Sequence, residues 1–598
     1  MDLTKLSAAK RALLDQRLKG GLREHVSAPQ IPPRPDAASA PLSYAQRHMW
    51  VLDQLAPGNP ACNLLYGYQI RGRLDVAALE AGFNALIRRH ETLRTTFTVQ
   101  NGEPLQCIHP GLRIRLVVTS LKQLHGPEQE ARLQALASEE SIRPFDLARL
   151  PLLRALLFEL QDAEHVLIVN LHHLVADGLS IGLLMRELDL LYRESLGEHA
   201  TRLASLPLQY GDYAHWQQTN TANDPMQARQ LEFWKRKLGG ALPPLNLPAD
   251  RPRPGRKTFR GSNVFFRVPA ALAAQLGTVA ARERCTVFMA LLATFQVLLH
   301  RHSGAEDFVI LSPVGSRSPA DVEPLIGDFL NLVALRCDVS GDPTFAALLR
   351  RSRDIALDAF SNADVPFEVL LEQLTLERDP NRGPLFPVML QMLPAAPPRL
   401  GDLEVSSFHF DRKSAQLDLS LHLYQEADGS LEGRLEYCTD LFEHDTVEQL
   451  CSGFRRLLQA VAEDSQSRLS QFPALPGEDR KRRARPGEPA SVGPGAARAA
   501  PVPPRTRTEQ MVLEAFRDCL KRTDFGVLDG FFDLGGYSLA AARLMLHLGR
   551  TTGLDLPLAI LFEHPTTERL AEAIDMLSWA TNAGRASTPA GERVEIEL

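Results

Sequence analysis

Two adjacent histidines, an aspartate four residues further on and a glycine after it (His172, His173, Asp177 and Gly178) form the stretch richest in acid–base chemistry. They close the apolar segment 165–173, HVLIVNLHH, whose Val and Ile content and length predict a strand. Side chains alternate along a strand, so His173 shares a face with Val169 and Leu171, and His172 with Ile168 and Asn170. An imidazole at the end of an apolar strip, where the chain turns, keeps a near-neutral pKa and takes or positions a proton. Asp177 is placed to pair with a basic side chain and hold the turn, with Gly178 letting the backbone bend sharply. The same residues also describe an ordinary strand end followed by an Asp-Gly turn, and local chemistry leaves both readings open. Neighbouring strand residues point apart and no third ligand is near, so metal binding is not expected. A second candidate, Ser538, follows Gly535 and Gly536 in FFDLGGYSLAAARLM (531–545) and stands where a helix begins, a position that favours serine as a plain cap. At the C-terminus, ERVEIEL alternates acids with Val594, Ile596 and Leu598. Such a pattern can add as a strand to another protein's sheet edge, and it also fits a frayed acidic tail.

The elements that must position these groups alternate between helix and strand. Residues 74–94 carry apolar side chains at 76, 79, 83, 86 and 87 with Asp75 as N-cap, a helical face. After the LVADG turn, Ser180 is a candidate cap for a helix with Ile181, Leu184, Met185, Leu188 and Leu191 on one side. This mixed order predicts an α/β architecture without internal repeats. Residues 1–22 read as a short helix and 24–41 as a proline-rich connector; 42–472 is too long for one small core and predicts two packed lobes. Residues 473–507, rich in Pro, Ala, Gly and Arg, read as a flexible tether, followed by a compact helical unit over 508–576 and a flexible tail over 577–598. The helical unit holds eleven acids and six bases, net −5, a charge suited to recognition by basic surfaces.

Over all 598 residues, 66 Lys and Arg stand against 72 Asp and Glu, a net charge of −6 that argues against nucleic acid as a partner. No apolar run reaches the ~18 residues of a membrane span, and the N-terminus has no secretory pattern. Seven cysteines without CxxC spacing exclude a disulfide framework and a thiolate zinc site, and fit a reducing cytoplasm.

HHLVADG (172–178) resembles the HHxxxDG motif of nonribosomal peptide synthetase condensation domains, relatives of chloramphenicol acetyltransferase. Further segments follow in that family's order: LSYAQRHMWVL (42–52), RHETLRTTF (89–97), YGDYAHW (210–216), IGDFLN (326–331), DVPFE (364–368) and RDPNRGPLF (378–386). The resemblance implies two acetyltransferase-like lobes, about 42–225 and 226–472, forming a V-shaped pseudodimer with a tunnel between them. It implies His173 as the catalytic histidine, His172 and Gly178 as shapers of the loop, and a structural Asp177 paired with Arg94. Alternatively, Arg94 is a solvated cation at a helix end. Leu179 follows Gly178 where many peptide-elongating members carry Trp; heterocyclising relatives lack the paired histidines and are excluded.

LGGYSL resembles the LGGxS signature of peptidyl carrier proteins, with Tyr537 where His or Asp is usual. This implies a small four-helix domain with 4′-phosphopantetheine carried on Ser538. No segment matches an adenylation or thioesterase domain. The implied protein is a cytoplasmic, bacterial subunit of a nonribosomal peptide or hybrid polyketide–peptide synthetase. It forms an amide from an upstream acyl thioester and an amine on its own carrier, the building block being loaded by an adenylating enzyme acting in trans. Ester formation or off-loading is the alternative chemistry, and a non-catalytic recruitment platform the alternative class. Expected partners are upstream and downstream subunits and a phosphopantetheinyl transferase. A β-hairpin docking domain would receive the tail at Val594, Glu595, Ile596, Glu597 and Leu598; neither nucleic acid nor membrane is expected.

Overall fold

The computed structural model describes residues 31–476 and 501–586, apart from 101, 199–201, 221–223, 241, 255–256, 316, 318–319, 375–385, 395–397, 521, 532–533, 535–537, 555 and 558. The helix expected over 1–22, most of the tether, most of RDPNRGPLF and the docking residues 594–598 therefore lie outside the described residues.

The first lobe holds strands β1 (Ser39–Pro41), β2 (Asn63–Arg71), β3 (Thr95–Gln100), β4 (Glu103–Ile108), β5 (Val117–Ser120), β6 (Leu153–Gln161) and β7 (Glu164–His172). The second segment of chain supplies β8 (Gly261–Val268), β9 (Asp307–Gly315), β10 (Leu330–Asp338), β11 (Val388–Pro394), β12 (Glu404–Phe408), β13 (Leu419–Gln425) and β14 (Leu431–Cys438). Two large mixed sheets result, ordered β12-β2-β7-β6-β5 and β10-β9-β11-β13-β14-β8, beside a small sheet β1-β4-β3. Strand β12 comes from the second segment yet pairs antiparallel with β2, from Glu404 opposite Arg71 to Phe408 opposite Gly67. It covers the β2 edge of the first sheet, so the second segment lends one strand to the first lobe and the lobes are not strictly consecutive in sequence.

Strand β7 lies inside the first sheet and is buried on both faces. Leu167, Val169 and Leu171 join the main core of that lobe, and Val166 and Ile168 join a smaller one. This two-sided burial explains a strand with almost no polar alternation.

Helix α1 (Tyr44–Leu55) begins with a capping box: Ser43 Oγ accepts from the Gln46 N–H while Gln46 Oε1 accepts from the Ser43 N–H. Helix α2 (Val76–Arg89) is capped by Asp75 as expected, its carboxylate accepting from the Ala78 N–H at 2.8 Å. Helix α3 (Gly178–Ser195) corrects one expectation. Its cap is Asp177, whose Oδ1 accepts from the Ser180 N–H at 2.7 Å, and Ser180 lies buried in the first turn. Aspartate caps as well as serine does, and here the helix starts three residues earlier.

Behind the tether, α4 (Arg507–Leu520), α5 (Ser538–Thr552), α6 (Ala559–Glu563) and α7 (Thr567–Ala586) build the small helical unit around Phe516, Phe525, Phe531, Leu544 and Leu570. Helix α7 runs past residue 576, so the tail expected from 577 is helical up to Ala586. Helix α5 packs against α1, and Arg550 Nη2 lies 2.6 Å from Glu103 Oε1. Among the described residues no helix is long and apolar enough to cross a membrane, and no group of three or more His, Cys, Asp or Glu side chains could hold a metal ion.

Candidate active site

His173 directly follows β7 and opens a single 3-10 turn, His173–Val175. The Gln46 side-chain amide of α1 donates to the Leu174 carbonyl at 2.9 Å, so α1 fixes the turn from one side. The segment 326–331, from the second half of the chain, fixes it from the other. Asp328 Oδ2 lies 3.2 Å from His173 Nδ1, and both residues are buried. Asp177 Oδ2 accepts from the Phe329 N–H, while Ser180 Oγ donates to the Gly327 carbonyl and accepts from the Gly327 N–H. The Tyr210 hydroxyl donates to the Asp328 carbonyl at 2.5 Å and lies 2.8 Å from Ser43 Oγ. Gly327 must be glycine, because a Cβ there would fall 1.9 Å from the Tyr210 ring. The motif loop of one lobe is thus bound to the other by buried hydrogen bonds, and His173 stands at the junction.

Electrostatics separate the two histidines. Burial alone would lower the His173 pKa, but the charge and hydrogen bond of Asp328, with a further contribution from Asp177, outweigh it and raise the value. Burial also lifts Asp328, against the pull of His173. His172 takes the opposite course. It is buried, its Nδ1 accepts from the Leu174 N–H, its ring meets Phe145 edge-on, and its pKa is pushed down to about 3. It stays neutral and shapes the turn.

Asp177 is buried and paired, but not with Arg94. Arg317 Nη2 lies 3.1 Å from Asp177 Oδ1 and also donates to Ser180 Oγ, and its guanidinium sits 4.5 Å from the Phe329 ring centre. Arg94 instead donates to the carbonyls of His109, Ile87 and Arg88, where it closes the end of α2. The expected Arg94–Asp177 pair is therefore wrong, and so is the solvated cation, because helix-end carbonyls claim this guanidinium. The role given to Gly178 changes as well. Its backbone is not in the left-handed region, and a Cβ would make only ordinary contacts with Leu393 and the Tyr66 hydroxyl, at 3.6 and 3.7 Å. Gly178 leaves room rather than permitting a bend, since it lines a cavity of about 790 Å³ between β2 and α3 on one side and β8, β13 and β14 on the other.

Sequence reasoning missed Asp328, Arg317, Tyr210 and Ser180 as parts of the site. Asp328 and Tyr210 do lie inside segments singled out for their resemblance, IGDFLN and YGDYAHW, and that was the available signal. Near the same junction, His48 Nδ1 on α1 lies 3.4 Å from Glu368 Oε1 of DVPFE. Burial lifts Glu368 to about 8, so it is mostly protonated at neutral pH.

Residues 37–482 match the family model of the condensation domain. The chain belongs to this family. Residues 510–574 match the phosphopantetheine attachment site, which makes this a condensation domain joined to a carrier domain that bears 4′-phosphopantetheine on a serine. One of the linear gramicidin synthase subunits of Brevibacillus parabrevis is 39% identical over 483 residues, 80% of this chain but 9% of the relative, so the chain spans under a tenth of that protein. The X-domain from teicoplanin biosynthesis superposes with a TM-score of 0.65 at 32% identity, covering 75% of this chain and 100% of that one. The first condensation domain of the calcium-dependent antibiotic synthetase superposes at 0.65 and 21% identity over 73% of this chain and 99% of that one, a likeness of fold alone. Condensation domains of peptide synthetases are amide-bond-forming enzymes, and this chain carries that two-lobed acetyltransferase-like fold. The attachment group fits the small domain. Ser538 is the first residue of the 15-residue α5, and the free N–H groups and positive end of a helix suit a phosphodiester.

Proposed function

We propose that the chain joins an acyl thioester delivered by an upstream carrier to an amine presented on its own carrier at Ser538, forming an amide, with His173 as the catalytic residue. The observation that carries this reading is the pairing of His173 with Asp328 at the junction of the lobes. Nδ1 is taken by the carboxylate, so Nε2 is left to meet the attacking amine. In the reaction the amine nitrogen bonds to the thioester carbonyl carbon, the carbon–sulfur bond breaks to release the upstream carrier's sulfur as a thiolate, and the nitrogen gives up a proton that ends on that sulfur as a free thiol. His173 orients the amine and accepts that proton, and Asp328 holds the ring and stabilises the imidazolium. Phosphopantetheine, when attached, supplies the thiol on which the building block is held as a thioester. Helix α1 supports delivery from the chain's own carrier, because it packs against α5 on one side and holds the His173 turn on the other. Loading of the amine by a separate adenylating enzyme, and docking of residues 594–598 on a partner's β-hairpin, belong to the same proposal. Incubation with an acylated upstream carrier and an amine-loaded Ser538, followed by intact-protein mass spectrometry, tests it. Product on the arm is expected, and its absence with both carriers loaded rejects the reading. A recruitment platform is the second reading, favoured by the likeness to the X-domain, a domain solved in complex with OxyB; the histidine–carboxylate pair argues for catalysis.

Two further outcomes follow. Asp328→Asn removes the charge that raises the His173 pKa, so the acid limb of the pH profile of kcat/KM should move to lower pH while the plateau falls. An acid limb that stays in place would show that Asp328 does not act through His173. The Arg550–Glu103 pair is exposed, so it contributes only about 0–1 kcal/mol. Arg550→Glu should therefore weaken carrier-delivered condensation a few-fold, more at low salt, and Glu103→Arg in the same chain should restore it. Unchanged rates at low salt would reject this docking contact.

A further inference from the structure

The cavity that begins at Gly178 and Leu179 carries an unusual charge on its inner wall. Arg434 on β14 is 7% exposed, and its Nε is buried without a hydrogen-bond partner. No salt bridge among the described residues reaches its guanidinium. Its cross-strand neighbours offer no counter-charge. On β13 stands His422, whose pKa burial, and then the two nearby guanidiniums, push well below the usual imidazole range, and on β8 stands Phe265. Glu432, on the same face of β14, is engaged by His409 at 2.9 Å, and Asp189 by Arg193; Glu436 attracts Arg434 without contact. A second guanidinium, Arg412, lies against the Tyr66 ring and donates one N–H to the Leu65 carbonyl. A buried cation without a partner is strongly disfavoured unless something supplies the missing charge.

We infer that Arg434, with Arg412 beside it, is a subsite for an anionic group on the acyl chain being transferred, a carboxylate on a monothioester of a dicarboxylic acid or an acidic acyl side chain. The inference rests on the condensation reading above and specifies its donor. The position of the carrier assigns the cavity to the donor. The chain's own carrier packs on α1 and contacts Glu103, and neither α1 nor β4 lines the cavity. Its volume of about 790 Å³ suits an acyl chain. A phosphodiester, by contrast, stays beside its serine at a carrier's surface, away from the inner strand that bears Arg434. A planar guanidinium matches a carboxylate with two parallel N–H donors.

The test uses the full chain and donors presented as N-acetylcysteamine thioesters, which lack any phosphate. Glutaryl and pentanoyl thioesters are compared in kcat/KM, and their unreactive amide analogues in binding by calorimetry. The wild type should favour the glutaryl compound roughly 10- to 100-fold, the range for a charged hydrogen bond in a buried site. Arg434→Met should erase the preference and Arg434→Lys keep part of it. The Met variant removes an unpaired buried charge, so it should melt no lower than wild type, and glutaryl amide should raise the melting temperature of the wild type only. Equal binding of the two analogues by wild type, or a preference that survives Arg434→Met, overturns the inference. Free phosphopantetheine that outcompetes the glutaryl analogue through Arg434 would also overturn it, because the anion would then be the arm's. A glutaryl preference in binding together with no product from any donor would uphold the subsite and reject the condensation reading instead.

Discussion

Replacing His173 with alanine should lower the rate of amide formation about 10²- to 10⁴-fold, the usual contribution of a positioned acid–base group. Modification of Ser538 by a phosphopantetheinyl transferase should be unchanged, because the two groups lie in separate domains. The expected loss falls on the chemical step, since Nε2 is the atom left to meet the amine once Nδ1 is held by Asp328 at 3.2 Å. Single-turnover assays with both carriers loaded separate this step from loading and docking. His172→Ala provides the contrast. Its imidazole is buried and neutral, with Nδ1 bound to the Leu174 N–H, so the change should cost stability in the turn, read as a lower melting temperature. Full activity in His173→Ala, with loading intact, would leave the recruitment platform as the better account.

The second large effect concerns the ion pair that the fold substitutes for the expected one. Arg317→Met should destabilise the protein by about 3–5 kcal/mol, because it strands the buried Asp177 carboxylate without its cation. Asp177→Asn should rescue much of that loss in the double variant, since an amide still caps α3 and leaves no charge to compensate. Denaturant unfolding of the single and double variants measures the coupling directly. Arg94→Met should also destabilise, through lost hydrogen bonds to three carbonyls, but without coupling to Asp177. A coupling of Asp177 to Arg94 rather than Arg317 would overturn this assignment.

The contrast between these two arginines marks the boundary of what a linear reading delivers. The amphipathic face of α2 and its Asp75 cap, the apolar run of β7, and a serine at the start of α5 depend on neighbours within a few residues. They were legible because helix and strand periodicity act over that range. The two-lobed fold was legible only through a series of ordered motifs, each weak alone. The choice of Arg317 over Arg94 depended on a partner 140 residues away, and that of Asp328 on one 155 residues away. The placement of β12 in the first sheet and the unmatched charge of Arg434 depended likewise on distant strands. Nothing local records such pairings, because a buried carboxylate accepts any cation that the packing brings within reach. By itself the sequence determined which residues could do chemistry, His173 and Ser538 above all. Only the tertiary structure decided which partners tune them, because desolvation and Coulomb attraction act through space between groups that the chain keeps far apart.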